Sequence, residues 1–204
     1  MSEILVARKS EKSLDQNAVI GMYKLRHAVF HDRLGWEVSS DNGMEHDAFD
    51  EVDPVYVLVR GDRQQIIGCW RLLPTTGPYM LKDVFPQLLH GQPAPERPDV
   101  WELSRFAIAE SESAATGFGL SETPLRMIRA AVQFARLNGI SRYVSVTSVA
   151  IERMFRKLGV SVTRLGEPVR IGRVLTVACT LEIDYPTKIA LFGALPEHAP
   201  RIAA

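Results

Sequence analysis

The stretch WELSRFAI, residues 101–108, decides the fold of this 204-residue chain. Its short run of Trp, Leu, Phe and Ile predicts a strand buried inside a sheet. The same run carries Glu102 and Arg105, and charged groups are costly to bury unless they are paired or put to use. Residues three apart in a regular strand point to opposite faces of the sheet. The two charges can therefore share a pocket only across a β-bulge or a bend.

Strands and helices alternate on both sides of this stretch. The predicted strands are EILVAR (3–8), VYVLVR (55–60), QIIGCWRLL (65–73), VWELSRFAI (100–108), RYVSVTSV (142–149), VSVTRLG (160–166) and VLTVACTLEI (174–183). The predicted helices are 16–33, 121–139 and 150–159, with a short one near 84–89, and Ser121 opens a capping box for the second. The order predicts one domain over residues 1–204, a three-layer α/β/α sandwich around a mixed sheet.

Composition is that of an ordinary soluble globular protein, with 46% hydrophobic and 24% charged residues. No apolar run approaches the roughly 20 residues of a membrane span, and the first residues show no secretory signal. Cys69 and Cys179 lie in apolar runs and are expected to be buried free thiols, which fits a cytoplasmic protein. Walker and dinucleotide-binding loops are absent from the sequence. No basic stripe interleaved with aromatic residues is present, so no nucleic-acid partner is expected.

A formal net charge of zero hides two segments of opposite sign. Residues 34–59 contain seven acids and no Lys or Arg, whereas residues 126–157 contain seven Lys or Arg and one acid, Glu152. The first segment is suited to attract a cation and the second an acidic partner, although solvated surface would give the same pattern.

The five histidines show no zinc-binding motif. His27 and His31 are four residues apart, so one helical turn brings them together and they could share a metal ion in principle. The sequence offers no evident third ligand, and we predict no metal site.

Charged and aromatic residues are scattered through predicted helices, strands and loops in a way that suggests one internal network. They are Arg26, Phe30, Trp36, Asp47, Asp50, Arg71, Glu102 and Arg105. Such a set is either a stabilising ion-pair cluster or the lining of a functional cleft, and the residues by themselves do not choose between the two.

Four segments carry a resemblance to a known family. LRHAVFHDRLGW, DAFDEVDPVYVLV, GCWRLLPTTGPYMLKDVFPQLL and WELSRFAI together resemble the acyl-homoserine-lactone synthases. These are the LuxI-type autoinducer synthases of bacterial quorum sensing, and the pattern is most similar to the LasI-like branch. The resemblance runs from about residue 25 to residue 158, and the eight residues of the network match the family's usual set. It implies a fold like that of the GNAT acetyltransferases.

The resemblance also implies an acyltransferase reaction. The amine of S-adenosylmethionine attacks an acyl thioester on acyl carrier protein, and its carboxylate then closes a lactone and expels methylthioadenosine. S-adenosylmethionine is a substrate, so no cofactor is expected. The implied catalytic set is Glu102, Arg26, Asp47, Asp50, Arg71 and Arg105. Arg26, Phe30, Trp36, Asp47 and Arg105 would bind S-adenosylmethionine, with Arg26 or Arg105 on its carboxylate and acids and aromatic rings around its sulfonium.

Three expectations complete this interpretation. Glu102 is the candidate general base for the amine. The acyl pocket is expected to involve Met80, Leu103, Phe106, Met127, Thr147, Val149, Met154 and Leu158, with Thr147 favouring a 3-oxo or 3-hydroxy group on a medium-to-long chain. Acyl carrier protein is acidic, and its expected dock is Arg126, Arg129, Arg153, Arg156 and Lys157.

Two other functions compete with a synthase. A GNAT-like N-acyltransferase would use acyl-CoA, but the sequence lacks a clear glycine-rich loop for the CoA pyrophosphate at a helix N-terminus. A non-catalytic binding module would keep the fold without needing Glu102.

Overall fold

The computed structural model describes residues 2–112 and 122–193. The strands are β1 Glu3–Arg8, β2 Ser40–Asp41, β3 Met44–Glu45, β4 Val55–Arg60, β5 Ile66–Pro74, β6 Val100–Ile108, β7 Arg142–Ser148, β8 Val162–Arg164, β9 Val169–Ile171 and β10 Val174–Glu182. The α-helices are α1 Gln16–Arg26, α2 Met80–Asp83, α3 Glu122–Leu137, α4 Val149–Lys157 and α5 Tyr185–Phe192. A π-helix covers His27–Arg33, and 3-10 turns cover Ala48–Asp50, Pro86–Leu89 and Glu110–Glu112.

One mixed sheet organises the chain in the order β1-β4-β5-β6-β7-β10-β8, with β9 paired to β10. Its pairings are antiparallel except that of β6 with β7, which is parallel and joins residues 100–103 to residues 142–145. Beyond these four residue pairs, β6 and β7 continue without backbone hydrogen bonds to each other. The second halves of β6 and β7 are therefore not paired with each other, and we call the space between them the cleft.

A β-bulge in β6 explains how Glu102 and Arg105 can lie on the same side of the sheet. Arg71 pairs with Ser104 and Cys69 with Ala107, so Arg105 and Phe106 together lie opposite Trp70. Arg105 takes a left-handed conformation, with φ of 58°, which in the G1 type of bulge is usually supplied by a glycine. The extra residue lets Arg105 point to the same side of the sheet as Glu102, while Phe106 packs edge-on against Trp70 on the other side.

Helices cover both sides of the sheet, which confirms the predicted three-layer α/β/α sandwich. On one side, here called the α1 face, Met22 and Leu25 of α1 pack on Tyr56, Leu58 and other residues of β4 and β5. The short helix α2 lies on this face too, above β6, β7 and β10. On the other side, the α3 face, residues of α3, α4 and α5 form the larger core with Trp70 of β5.

Helix boundaries follow local chemistry. Asp15, Ser148 and Asp184 cap α1, α4 and α5 by accepting a hydrogen bond from a first-turn amide. Gly159 follows α4 with φ of 77°, a conformation that glycine adopts without steric cost. Ser121, the predicted cap of α3, lies outside the described residues.

Three local predictions are corrected by the structure, and one helix was not predicted. The helix predicted over 16–33 is α-helical only to Arg26 and continues as a π-helix. The segment expected to be a loop after it contains the β2–β3 hairpin. The short helix predicted near 84–89 is replaced by α2 and a 3-10 turn. Helix α5 was not predicted, although Asp184 and a Pro at its start are typical N-terminal signals.

Two further expectations concern burial. Cys69 and Cys179 are buried free thiols, as predicted. Within residues 2–112 and 122–193, none of the helices is long and apolar enough to cross a bilayer.

Candidate active site

Arg26 anchors a charged network on the α1 face. Its side chain is fully buried at the end of α1. Its Nε donates to Glu45 at 2.5 Å, and its two Nη atoms donate to the Asp50 carboxylate at 2.8 and 3.0 Å. Burial by itself lowers the pKa of Arg26, but the Asp50 and Glu45 carboxylates outweigh it and raise the pKa well above its usual value. Arg26 is thus a structural cation committed to protein carboxylates, and the expectation that it holds a substrate carboxylate is not supported.

Arg71 continues the network from the neighbouring strand β5. Its Nη1 donates to Asp50 at 2.8 Å and to Asp47 at 2.5 Å, and its Nε donates to Ser104 at 3.2 Å. Asp50 also accepts from the Tyr56 hydroxyl at 2.6 Å. Although burial raises the pKa of Asp50, the adjacent guanidinium groups lower it further, so its pKa lies well below the usual range. Asp50 is therefore ionised and holds two arginines together.

Arg105 closes the network at the surface of the protein. Its Nε donates to Glu45 at 3.0 Å, and its Nη2 lies 2.7 Å from Asp47. The side chains of Arg105 and Asp47 are 12% and 16% exposed, whereas those of Arg26, Arg71, Glu45 and Asp50 are 0% exposed. A solute can therefore reach this network through Arg105 and Asp47.

Glu45 was missed by the sequence interpretation, which counted it only among the acids of residues 34–59. It lies on β3 and bridges Arg26 to Arg105. The available signal was its position two residues before Asp47 in EHDAFD. The carboxylates of Glu45, Asp47 and Asp50 balance three arginines, because each unpaired charge in this largely buried network would be expensive.

An aromatic pair lies beside the exposed end of the network. The rings of Phe30 and Trp36 are stacked, with centroids 5.3 Å apart and planes at 14°. The guanidinium carbon of Arg105 lies 5.5 Å from the Phe30 ring centroid. Trp36 is 38% exposed and presents an aromatic surface to solvent. The pair offers a flat apolar surface next to charged groups.

Glu102 lies on the same face of β6 but outside the carboxylate–arginine pairs. Its two oxygens accept from the backbone amides of Met80 and Leu81, at 2.9 and 2.7 Å, at the start of α2. Burial raises the pKa of Glu102 to about 7, although these amides and the charges of Arg71 and Arg105 oppose the shift. A carboxylate with this pKa is suited to exchange a proton near neutral pH.

Met80 joins Glu102 to the arginines. Its sulfur lies 3.2 Å from the Nη2 of Arg71 and 3.2 Å from the Nη1 of Arg105. Met80 therefore lines the charged site on the α1 face.

The other residues expected in the acyl pocket are on the far side of the sheet or at the cleft. Leu103, Phe106, Met127, Met154 and Leu158 belong to the core of the α3 face. Thr147 is half-buried on β7 and shares that face by strand alternation with Tyr143. Val149 is the first residue of α4. Met80 is separated from this set by the sheet.

The expected basic dock does not form one surface. Arg126 donates to Ser2, ahead of β1, and Arg129 donates to the Leu191 carbonyl of α5. Helix α3 packs over β1, β4 and β5, whereas α4 packs over β7, β8 and β10. With strands about 4.8 Å apart, β1 and β7 are separated by about 19 Å. The basic residues of α4, which are Arg153, Arg156 and Lys157, are all exposed, and Arg156 is also paired with the buried Glu152.

The comparisons with known proteins agree with this geometry. The sequence model for autoinducer synthases matches residues 10–191. The acyl-homoserine-lactone synthase of Pseudomonas aeruginosa is 42% identical over 194 residues, which are 94% of each chain. The crystal structure of the acyl-homoserine-lactone synthase LasI is 41% identical and superposes with a TM-score of 0.87, over 98% of this chain and 99% of that one.

Two further solved structures are similar to this chain at lower sequence identity. BjaI, described as a CoA-dependent acyl-homoserine lactone synthase and solved with S-adenosylmethionine and isopentyl-CoA, is 28% identical with a TM-score of 0.83, over 94% of this chain and 88% of that one. A putative N-acetyltransferase from Lactobacillus plantarum, 16% identical with a TM-score of 0.59, covers 89% of this chain and 98% of that one and shows that the fold is GNAT-like. From the family match and the identity over nearly its whole length, the chain belongs to the autoinducer synthase family.

Proposed function

We propose that this protein is an acyl-homoserine-lactone synthase that uses S-adenosylmethionine and an acyl thioester on acyl carrier protein. The observation that carries the proposal is the arrangement on the α1 face. A partly exposed carboxylate, Asp47, and a partly exposed guanidinium, Arg105, lie beside the Phe30–Trp36 pair. S-adenosylmethionine carries a carboxylate, a sulfonium and an adenine ring, and these groups require a cation, an anion and a flat apolar surface.

The role of each binding residue follows from its exposure. Arg105 binds the substrate carboxylate, because its guanidinium reaches solvent while remaining fixed by Glu45 and Asp47. Asp47 attracts the sulfonium, and the stacked rings of Phe30 and Trp36 support the cation and the adenine. Arg26, Asp50 and Arg71 act as positioning residues, since their bonds to one another hold Asp47 and Glu45 in place.

The first step forms the amide. The neutral amine of S-adenosylmethionine attacks the thioester carbon, the N–C bond forms, and the C–S bond breaks to release the carrier thiol. The amine gives up one proton, which Glu102 accepts directly or through one water molecule and then passes to the departing thiolate, so that the carrier leaves as a thiol. The pKa of about 7 suits Glu102 to this task, because the carboxylate is partly ionised at neutral pH.

The second step closes the ring. An oxygen of the substrate carboxylate attacks the carbon next to the sulfonium, the new C–O bond forms, and the C–S bond breaks. The sulfonium takes the bonding pair and leaves as neutral methylthioadenosine. Arg105 orients the carboxylate for this attack, and no proton transfer is needed.

The acyl chain extends from the cleft between β6 and β7 into the core of the α3 face. That core contains Leu103, Phe106, Met127, Met154 and Leu158, while Thr147 and Val149 lie at the end of β7 and the start of α4. Thr147 offers a hydroxyl to a 3-oxo or 3-hydroxy group on a medium-to-long chain. Met80 contacts the reacting end, since it lies among Glu102, Arg71 and Arg105.

The carrier protein docks on α4. Arg153 and Lys157 are exposed there and are not among the paired cations of the described residues, whereas Arg126 and Arg129 are held by backbone carbonyls on another part of the surface. Reversal of Arg153 and Lys157 to Glu is expected to raise the KM for acyl carrier protein and to leave the KM for S-adenosylmethionine unchanged. The matched control is Arg136→Glu, an exposed arginine of α3. Equal effects on both substrates would contradict docking at α4.

The reaction is tested by mass spectrometry of lipid extracts from an expressing bacterial host. Ions that share the homoserine-lactone fragment would establish the activity, and their masses would give the chain length and the oxidation at the 3-position. A folded protein that yields no lactone from either acyl carrier protein or CoA thioesters would refute the proposal.

The acyl donor is tested with purified enzyme. Matched acyl groups on acyl carrier protein and on CoA are compared by kcat/KM. A higher kcat/KM for the carrier thioester supports the proposed donor, whereas a preference for acyl-CoA would make the enzyme resemble CoA-dependent BjaI in donor use.

A further inference from the structure

A second group of ligand-type side chains lies on the π-helix, separate from the charged network. The Asp32 Oδ1 lies 2.8 Å from the Nδ1 of His31 and 3.4 Å from the Nε2 of His27. One ligand atom from each of the three residues lies within 4.8 Å of the others. We propose that His27, His31 and Asp32 form a binding site for a divalent transition-metal ion of the Zn²⁺ class.

The π-helix explains why the sequence interpretation found no third ligand. In an α-helix, residues i and i+4 share a face but i+5 turns away from it. A π-helix bonds residues i and i+5, so both i+4 and i+5 stay close to residue i. The amide of Leu34 donates to the Val29 carbonyl at 3.0 Å, which is such a bond. Asp32 is five residues after His27 and therefore joins the histidine pair.

Ser40 selects the available nitrogen of His27 in one hydrogen-bond arrangement. The Ser40 hydroxyl lies 3.2 Å from the Met44 carbonyl and 2.5 Å from His27 Nδ1. When the hydroxyl donates its one proton to the carbonyl, Nδ1 carries the hydrogen and donates to Ser40. The bare Nε2 then faces the Asp32 carboxylate. Two acceptors face each other across this gap, and a cation between them satisfies both.

The separations suit a small transition-metal ion. Bonds from Zn²⁺ to nitrogen and oxygen ligands are about 2.1 Å, so tetrahedral ligand atoms are about 3.4 Å apart. The 3.4 Å separation of His27 from Asp32 matches that spacing, whereas the 2.8 Å separation of His31 from Asp32 is a hydrogen-bond distance that side-chain rotation would have to widen. The His27 and His31 rings are already near parallel, with centroids 4.7 Å apart and planes at 12°.

The ligand types select the class of metal. Two imidazoles and one carboxylate suit Zn²⁺, Co²⁺, Ni²⁺ and Cu²⁺, whereas Mg²⁺ and Ca²⁺ prefer oxygen ligands throughout. The side chains of His31 and Asp32 are 55% and 58% exposed, so an ion can enter directly from solvent. Ser40 then acts as a positioning residue that holds the ring of His27, as outer partners of metal-binding histidines do.

The site is tested on the full-length protein without a histidine tag. Zn²⁺ binding is measured by calorimetry, and Co²⁺ binding by its visible absorption, which reports coordination number. The wild type is expected to bind one ion per chain, and its thermal midpoint is expected to rise with Zn²⁺ concentration. His31→Ala and Asp32→Asn are expected to lower the Zn²⁺ affinity by about tenfold or more, and Ser40→Ala to lower it by about tenfold.

His90→Ala is the matched control, because His90 is also exposed but bonds the Glu167 carbonyl in another part of the structure. It is expected to keep the wild-type Zn²⁺ affinity and thermal shift. Absence of Zn²⁺ binding in the folded wild type would overturn the proposal. Equal Zn²⁺ affinity in wild type, His31→Ala and Asp32→Asn would also overturn it, since the ion would then be bound elsewhere.

Discussion

Replacement of Glu102 by Gln tests the proposed general base with little change in shape. The Gln amide nitrogen must face one of the two α2 amides that the carboxylate now accepts from. One buried N–H then loses its acceptor, which costs about 1–3 kcal/mol of unfolding free energy. Loss of a positioned base lowers the rate by about 10²- to 10⁴-fold. We therefore expect a folded but nearly inactive variant.

The pH dependence separates catalysis from damage to the fold. Because the carboxylate must be ionised to accept a proton, wild-type kcat/KM is expected to rise with pH through the Glu102 pKa of about 7. The Gln variant should lack this limb of the profile, measured as release of methylthioadenosine or carrier thiol between pH 5 and pH 9. A folded variant with more than a tenth of wild-type activity and the wild-type pH profile would refute the role of Glu102.

A matched control isolates the structural cost. Asp184 also binds a helix N-terminus, since it accepts from the Thr187 amide at 2.9 Å, but it lies at the start of α5. Asp184→Ala is expected to lower the unfolding free energy by about 0.5–2 kcal/mol and to leave the pH profile unchanged. A similar rate loss in this variant would show that stability alone accounts for the effect.

Three further substitutions probe the network and the pocket. Asp50→Asn leaves Arg26 and Arg71 without their shared buried anion and should lower the urea-derived unfolding free energy by about 3–5 kcal/mol; a loss below 1 kcal/mol would contradict the paired network. Arg105→Lys keeps the charge but loses the planar fork, so the KM for S-adenosylmethionine should rise more than the KM for the acyl donor, and the reverse order would contradict the assignment. Thr147→Val removes a hydroxyl at nearly constant shape and should shift the products, measured by mass spectrometry, towards chains unsubstituted at the 3-position. An unchanged product ratio would remove Thr147 from the acyl pocket.

Local sequence chemistry predicted most elements because the signals are local. The apolar runs of β4, β5 and β6 are longer than those found in turns or surface segments. Helix α3 repeats its apolar residues at helical spacing. Five residues of the network were also named from the sequence: Arg26, Asp47, Asp50, Arg71 and Arg105. Arg71 and Arg105 were conspicuous because charges in apolar strands demand partners. From the sequence, Asp47 and Asp50 are the expected partners of Arg71 and Arg105, and Glu45 is not among them. The structure pairs Arg71 with both aspartates and Arg105 with Asp47 and Glu45.

Pairing across the network depended on positions distant in sequence. Glu45 and Arg105 are 60 residues apart and meet through their carboxylate and guanidinium groups. The sequence likewise cannot show that Arg26 is fully buried while Arg105 reaches solvent, and this difference is the reason for proposing Arg105 as the residue that binds the substrate carboxylate. Burial is a property of the assembled layers and not of a local pattern.

The sequence by itself determined the alternation of strands and helices, the buried thiols and the family resemblance. Only the tertiary structure decided the direction of Arg105, because the bulge in β6 becomes visible when β5 is paired beside it. It also decided that Asp32 joins His27 and His31, because helical periodicity assumes an α-helix and the chain forms a π-helix there. In both places one residue inserted into a regular backbone pattern turns a side chain to a new face.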